Sequence, residues 1–212
     1  MARPFDLTLY VITDSHLARG RDQVEIVAAA IRGGATMVQL RDKELPARDQ
    51  LELGLRLREL TRRMGTTLIV NDRVDLALAV GADGVHLGQD DLPPRVARQL
   101  LGPDAIVGVS AGNPAELALV EREGADYVGT GPFAATGSKA DAGAAIGPEG
   151  IAAVRRLTNL PMVAIGGIGL ANAKAAIGAG ANGIAVISAI VGADDPEAAA
   201  RALRQAVDAA RR

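Results

Sequence analysis

The chain has 212 residues, with 23 lysines and arginines against 25 aspartates and glutamates, so its formal net charge is −2. This charge and an aromatic content of 2% argue against a nucleic-acid-binding protein, which needs a basic surface or a stacking platform. The lack of cysteine excludes disulfides, thiolate catalysis and iron–sulfur clusters, and two histidines are too few for a histidine-rich metal site. No apolar run is long enough to span a membrane and no signal peptide is recognisable, so we expect a cytoplasmic protein.

Short apolar, β-branched runs alternate along the chain with amphipathic stretches rich in alanine and leucine. The runs are bounded by Gly, Asp or Asn, which is typical of strands buried on both faces of a parallel sheet. The predicted strands are Leu7–Thr13, Met37–Arg41, Thr67–Asp72, Gly84–Leu87, Ile106–Ser110, Tyr127–Gly131, Met162–Gly166 and Gly183–Ser188. The predicted helices are 22–32, 47–63, 73–80, 93–100, 114–123, 148–157, 170–178 and 196–210.

A weak repeat marks the quarters of the chain. A Gly-Ala pair followed by Thr, Asp or Asn begins at Gly34, Gly81, Gly124 and Gly180, each time between a predicted helix and an even-numbered strand. Glycine takes the left-handed conformation that ends a helix at little cost. Strict alternation of strands and helices predicts a single-domain α/β protein, a (β/α)8 TIM barrel over residues 1–212, with an open doubly wound sheet as the alternative.

The polar residues collect where the predicted strands end. In a barrel of this kind, functional side chains lie on the loops at the carboxyl ends of the strands. The candidate residues at these strand ends include Gln39, Arg41, Lys43, Asn71, Asp72, Asp91, Ser110, Thr136, Ser138, Lys139, Gly167, Ile187 and Ser188.

Their charges indicate what the barrel mouth binds. Arg41, Lys43 and Lys139 are three cations that converge on one mouth. Asp72 and Asp91 follow adjacent strands and suit Mg²⁺, which keeps its other positions for water and phosphate oxygens. Cations together with Mg²⁺ favour a diphosphate ligand.

A second set of residues favours a phosphate monoester. The glycine turn 166–169 after strand seven and the pair Ile187–Ser188 at the end of strand eight offer backbone N–H groups, as in many barrels that bind phosphate. The mouth is therefore predicted to take two phosphorylated molecules.

Less specific interpretations stay open at this stage. Arg41 and Lys43 also fit a solvated loop, and Asp72 and Asp91 also fit the N-caps of the helices that follow them. Thr136 and Ser138 also fit ordinary loop hydroxyls, and Gly166–Gly167 also fits a plain tight turn. His86 lies in mid-strand among apolar residues and is interpreted as a hydrogen-bonded core or rim histidine rather than a catalyst.

The sequence resembles the thiamine phosphate synthase family over essentially its whole length. The segments that carry the resemblance, in order, are Val38–Lys43, Asn71–Arg73, Gly84–Asp91, Gly108–Ser110, Thr136–Lys139, Ala164–Ile168 and Val186–Ser188. The chain departs from the family at Ala134 and Ala135, where an aromatic residue and a proline are usual, and at Ser138, where threonine is common.

The resemblance implies a transferase that condenses a hydroxymethylpyrimidine diphosphate with a thiazole phosphate, giving thiamine phosphate and pyrophosphate by Mg²⁺-assisted dissociative substitution. It also implies roles for the site residues. The catalytic set is Arg41, Lys43, Ser110 and Lys139, the metal set is Asp72 and Asp91, and the substrate-binding set is Gln39, Arg41, Lys43, Asn71, Ser110, Thr136, Ser138, Lys139, Gly167, Ile187 and Ser188.

The alternative functions are a thiazole tautomerase-like barrel and a non-catalytic protein that binds thiamine precursors. Tautomerases of this fold carry a histidine at the end of strand five, where this chain has Ser110, and they need no diphosphate site. The expected partners are small phosphorylated substrates, without nucleic acid or membrane, and the sequence is compatible with a homo-oligomer.

Overall fold

A computed structural model describes residues 4–137 and 143–212. Its eight parallel strands pair in chain order, and β8 pairs with β1 to close the barrel. The strands are β1 Leu9–Ile12, β2 Met37–Leu40, β3 Thr67–Asn71, β4 Gly84–Leu87, β5 Ile106–Ser110, β6 Tyr127–Thr130, β7 Met162–Ile165 and β8 Gly183–Val186. The helices are α1 Ser15–Ala18, α2 Gln23–Arg32, α3 Ala47–Met64, α4 Val74–Val80, α5 Pro94–Leu101, α6 Pro114–Arg122, α7 Gly147–Arg155, α8 Ala173–Gly178, α9 Ser188–Val191 and α10 Pro196–Ala210.

The closed sheet confirms the predicted TIM barrel and excludes the open sheet. Successive residues of a strand point to opposite faces, so each strand feeds two separate apolar clusters. Met37 and Ile69 belong to a small cluster inside the barrel, whereas their neighbours Val38 and Leu68 belong to the large cluster between sheet and helices. No helix within the described ranges is long and apolar enough to cross a membrane.

The sequence analysis was wrong at two places near the carboxyl ends of β7 and β8. Strand β8 ends at Val186, two residues before its predicted end, and Ser188 begins the one-turn helix α9, which is too short to show a periodic pattern. The predicted helix 170–178 begins only at Ala173, because the Asn172 side chain accepts from the Gly169 N–H (2.9 Å) and donates to the Gly167 carbonyl (3.0 Å). Residues 167–172 therefore form a hydrogen-bonded turn.

The Gly-Ala repeat anchors the amino ends of the strands. All four of its glycines have positive φ, between 66° and 106°, as predicted. The residue two positions after each glycine accepts a hydrogen bond, through its side-chain oxygen, from a backbone N–H of the preceding odd-numbered strand. These pairs are Thr36 with Leu9, Asp83 with Leu68, Asp126 with Val107 and Asn182 with Met162, at 2.7 to 3.1 Å.

An arginine from an outer helix binds each of these turns. Arg58 holds Asp83 with two bonds of 2.7 and 3.0 Å, and Arg98 contacts Asp126 at 2.8 Å. The other two are Arg155, 3.4 Å from the Asn182 side chain, and Arg204, 3.2 Å from the Gly34 carbonyl. We call these four assemblies of turn residue, strand N–H and arginine the basal clamps.

The basal clamp at Asp83 predicts a stability effect. Its ion pair with Arg58 is largely buried, with the side chains 12% and 10% exposed. Asp83→Ala removes one partner of a buried pair and the acceptor of the Leu68 N–H, and we expect it to lower the free energy of unfolding by about 3 kcal/mol in urea denaturation.

The exposed pair between Arg73 and Asp75 provides the matched control, because its side chains are 46% and 67% exposed. Asp75→Ala should change the free energy of unfolding by less than about 1 kcal/mol. Asp83→Asn keeps an acceptor for the Leu68 N–H, so its loss in free energy of unfolding should lie between those of Asp83→Ala and Asp75→Ala. Equal losses for Asp83→Ala and Asp75→Ala would contradict the structural role of the clamp.

Candidate active site

A cavity of about 630 Å³ opens at the carboxyl ends of the strands. Every predicted site residue that lies within the described ranges lines this cavity, whereas Ser138 and Lys139 lie outside the described residues. The lining residues from the predicted set are Gln39, Arg41, Lys43, Asn71, Asp72, Asp91, Ser110, Thr136, Gly167, Ile187 and Ser188. The structure thus brings these residues together, while the roles assigned to them remain predictions.

Arg41 is held in place by the end of β1. Its N–H donates to the Thr13 hydroxyl (2.9 Å), and that hydroxyl donates back to the Arg41 carbonyl (3.0 Å). The guanidinium lies 3.6 Å from the Asp14 carboxylate, and the Arg41 side chain is only 11% exposed. Arg41 is therefore an oriented, largely buried cation, whereas Lys43 is exposed to solvent at the edge of the cavity.

Asp42, which the sequence analysis did not select, joins the loops after β1 and β2. Its carboxylate accepts from the backbone N–H groups of Ser15 (3.1 Å), Glu44 (3.0 Å) and Leu45 (2.9 Å). Burial acts to raise the pKa of Asp42, but these hydrogen bonds outweigh it and hold the pKa below its usual range. The Asp42 carboxylate therefore fixes the backbone that carries Arg41 and Lys43.

Asp72 and Asp91 do not cap helices, so that interpretation was wrong. Helix α4 has Arg73 at its N-cap position and α5 has Pro93 there, and neither helix has a side-chain cap. Asp91 instead accepts from the Gly88 N–H (2.6 Å). Asp72 has a φ of 59°, a left-handed conformation that is rare outside glycine, and such strain is common at functional sites.

The two carboxyl groups also interact with each other. The pKa of Asp72 is raised to about 6, first by burial and then by the charge and hydrogen bonding of Asp91, and the charges of Lys43 and Arg41 offset only part of this rise. A crowded pair of carboxyl groups fits a divalent cation, whose charge would relieve their repulsion. In the described part of the chain no cluster of three or more His, Cys, Asp or Glu side chains occurs that could hold a metal ion.

The predicted phosphate-monoester side is formed by a close approach of two loops. Gly166 and Gly167 have φ of 92° and 64°, and a Cβ on Gly167 would lie 2.6 Å from the Ala135 carbonyl oxygen. The Ala134 N–H donates to the Gly166 carbonyl (3.0 Å). Only glycines at these positions allow the loop after β6 to lie directly against the turn after β7.

The loop after β6 is also closed at its base. The Ile146 N–H donates to the Pro132 carbonyl (2.9 Å), and the Gly147 N–H donates to the Phe133 carbonyl (3.0 Å). The chain therefore leaves the barrel and returns to it at one point, beside the end of β7.

A buried series of hydrogen bonds runs beneath the cavity, and we call it the interior chain. The Gln39 amide nitrogen lies 2.7 Å from the Tyr10 hydroxyl, which lies 3.1 Å from the Tyr127 hydroxyl. Tyr127 contacts His86 Nδ1 (3.0 Å), and His86 Nε2 contacts the Ser110 hydroxyl (3.1 Å). His86 is thus the hydrogen-bonded core histidine that we predicted, but sequence analysis missed the two tyrosines between the predicted site residues Gln39 and Ser110.

The carboxyl pair predicts a pH effect. In the metal-free protein Asp72 should titrate near pH 6 in a ¹³C NMR measurement of the aspartate carboxyl carbons. Because this pKa lies above the ordinary value, Asp72 favours the folded state at low pH, and that contribution is lost as the pH rises through about 6. Asp91→Asn should lower the pKa of Asp72 but leave it above the ordinary value, since burial persists.

Asp90→Asn is the matched control, because Asp90 is an exposed neighbour with no part in the shift of Asp72. It should leave the Asp72 titration unchanged. An Asp91→Asn variant in which Asp72 titrates as in the wild type would show that the two groups do not interact.

Comparisons with known proteins show the family of the chain. The family model described as thiamine monophosphate synthase matches residues 9–190. Thiamine-phosphate synthase of Moorella thermoacetica is 57% identical over 203 residues, covering 96% of this chain and 97% of that protein. The protein of the same name from Xanthobacter autotrophicus is 55% identical over 211 residues and the full length of both chains.

A solved structure gives the same result. The chain is similar to thiamine phosphate pyrophosphorylase from Pyrococcus furiosus, with a TM-score of 0.87, 44% sequence identity and 96% of each chain covered. The family match, the two relatives and this structure show that the chain belongs to the thiamine monophosphate synthase family.

Proposed function

We propose that the barrel mouth joins a hydroxymethylpyrimidine diphosphate to a thiazole phosphate and releases pyrophosphate. As a member of its family the chain is a transferase that forms thiamine phosphate. The observation that carries the assignment of the site is that Arg41 and Lys43 line the same cavity as the carboxyl pair Asp72 and Asp91. This combination suits a diphosphate that binds with a divalent cation.

The diphosphate half of the site uses charge. Arg41 and Lys43 bind the phosphate oxygens, and Lys139, which lies outside the described residues, is assigned to the same group from the sequence. Asp72 and Asp91 would hold Mg²⁺, which supplies charge neutralisation for the departing pyrophosphate. Arg41 is fixed before substrate arrives by Thr13 and Asp14, so its charge needs little reorganisation when negative charge grows on the leaving oxygen.

The remaining residues hold the two organic parts. Gln39, Asn71 and Ser110 line the floor and wall beside the carboxyl pair, where they would contact the pyrimidine and its diphosphate. Gly167, Ile187 and Ser188 would bind the thiazole phosphate through backbone N–H and hydroxyl donors. Thr136, with Ser138 by sequence, would line the mouth between the two substrates.

The proposed chemistry needs no covalent nucleophile on the protein. The reacting carbon is a methylene group attached to an electron-rich aminopyrimidine, so breaking its C–O bond leaves a stabilised cation. The thiazole nitrogen then forms the new C–N bond. The protein must hold that nitrogen near the carbon and keep water away, and the preformed cavity at the strand ends supports the first of these demands.

The direct test measures pyrophosphate release by the purified protein with Mg²⁺, the pyrimidine diphosphate and the thiazole phosphate, with and without EDTA. We expect release only when both substrates and Mg²⁺ are present, with thiamine phosphate formed in equal amount. Solvent exchange of a thiazole phosphate proton without pyrophosphate release would indicate a tautomerase instead. Binding of the phosphates without any reaction would indicate a precursor-binding protein.

Arg41 provides a prediction about rate. Arg41→Ala should lower kcat on the order of 100-fold, as the loss of one oriented group at a developing charge does elsewhere. It should change the KM for thiazole phosphate much less, because that substrate is assigned to the other side of the mouth. Initial rates of pyrophosphate release at varied concentrations of each substrate check both values.

Arg63→Ala is the control for the loss of an arginine. Arg63 is exposed in the last turn of α3, away from the residues that line the cavity, and its replacement should leave kcat unchanged. Unchanged turnover in Arg41→Ala would overturn the assignment of Arg41 to the leaving group.

A further inference from the structure

The interior chain connects two residues assigned to the substrates, and its hydrogen bonds have a direction. An amide nitrogen can only donate, so Gln39 donates to the Tyr10 oxygen. Tyr10 can then give its own proton to Tyr127, and Tyr127 can give its proton to His86 Nδ1. His86 carries its proton on Nε2 and donates it to the Ser110 oxygen.

The opposite direction is unfavourable with this orientation of Gln39. If Tyr127 donated to Tyr10, the Tyr10 oxygen would accept twice, and among the hydrogen bonds of the described residues its own proton would have no acceptor. Tyr10 is 1% exposed, and a buried donor without an acceptor is costly. To reverse the direction of these hydrogen bonds, the Gln39 amide has to rotate by 180°. The orientation of the Gln39 amide and the donor or acceptor role of the Ser110 hydroxyl therefore change together.

The barrel interior is shaped to admit this chain. A Cβ on Gly108 would lie 2.0 Å from the Tyr127 ring, and a Cβ on Gly129 would lie 3.0 Å from the His86 ring. Gly108 is the register partner of Tyr127. Two glycines, on β5 and β6, thus leave the space that the two rings occupy.

Both tyrosines stay protonated. Complete burial raises the pKa of Tyr10 and of Tyr127 well above the ordinary value, because a phenolate would lose its hydration inside the barrel. Each hydroxyl therefore has one proton. When it accepts a hydrogen bond from one neighbour, it donates its own proton to the other neighbour.

We propose that Tyr10, Tyr127 and His86 are positioning residues that fix Ser110 as a hydrogen-bond donor to the substrate and leave Gln39 with its carbonyl oxygen as the acceptor. Because His86 donates to the Ser110 oxygen, the Ser110 proton is left for an acceptor in the cavity. Because the Gln39 nitrogen is bound to Tyr10, its amide cannot turn freely. The inference rests on the proposed function, since the substrate contacts of Ser110 and Gln39 come from it.

The first test is the tautomer of His86 in the ligand-free wild-type protein. The sequence has two histidines, so long-range ¹H–¹⁵N NMR of histidine-labelled protein shows two ring systems, and His16→Gln assigns them. We expect His86 to be neutral at pH 7, with its proton on Nε2. A proton on Nδ1, or on both nitrogens, would overturn the proposal, and this measurement needs no variant of the chain to fold.

The second test asks whether Tyr127 acts through Ser110. Tyr127→Phe removes one hydroxyl and should lower kcat about tenfold, the scale of one net hydrogen bond. In a Ser110→Ala background the same change should lower kcat less than about twofold, because the group that Tyr127 orients is already absent. Equal effects in the two backgrounds would show that Tyr127 has only a structural role.

Thr61→Val is the control for losing a buried hydroxyl. Thr61 is fully buried on α3 and donates to the Arg58 carbonyl, outside the interior chain. Its effect on kcat should be small and the same in both backgrounds.

The two proposals fail in different ways. A wild-type protein that forms no thiamine phosphate contradicts the proposed function. Turnover by a protein whose His86 carries its proton on Nδ1 contradicts the positioning role alone.

Discussion

The hydrogen bond between a side chain just before each even-numbered strand and an N–H of the strand before it holds the register of four of the eight neighbouring strand pairs. Four such bonds, one in each basal clamp, fix where the strands begin. Since the strands are short, fixing their starts also fixes the height at which they end. The positions of the cavity residues around the mouth therefore depend on contacts at the opposite end of the barrel, which agrees with the usual division of TIM barrels into a stabilising face and a reactive face.

Between these two ends, the hydrogen-bonded side chains of the interior chain lie inside an apolar barrel interior. The interior chain lies within the cluster that contains Met37, Ile69 and Ile106, where an unpaired hydroxyl or imidazole would be costly. Each member is paired with the next, and both ends of the chain lie in the cavity lining. The floor of the mouth is thus formed by hydrogen-bonded side chains on strands rather than by loops, which gives it the rigidity that preorganised binding requires.

The sequence predicted what depends on local pattern and on the parallel barrel. The strands, the left-handed Gly-Ala turns and the convergence of the strand-end residues on one cavity follow from these two sources. The short helix α9 was missed because one turn has no period. The alternative interpretation of Asp72 as a helix cap was wrong because Arg73 occupies the N-cap position of α4 and Asp72 has a left-handed backbone conformation. The interior chain was not predicted from the sequence because Tyr10 and Tyr127 are 117 residues apart, and no local sequence pattern links residues so far apart.

The closed base of the loop after β6 has a consequence for variation among related chains. Because Ile146 and Gly147 are hydrogen-bonded to Pro132 and Phe133, the segment between Phe133 and Ile146 begins and ends at a fixed point, whatever its length or sequence. Closing a loop that is twice as long costs only about 0.6 kcal/mol more in conformational entropy. Insertions and deletions beyond Ala135 in this segment should therefore leave the turn at Gly166 and Gly167 undisturbed, because Ala134 and Ala135 are the residues that lie against it.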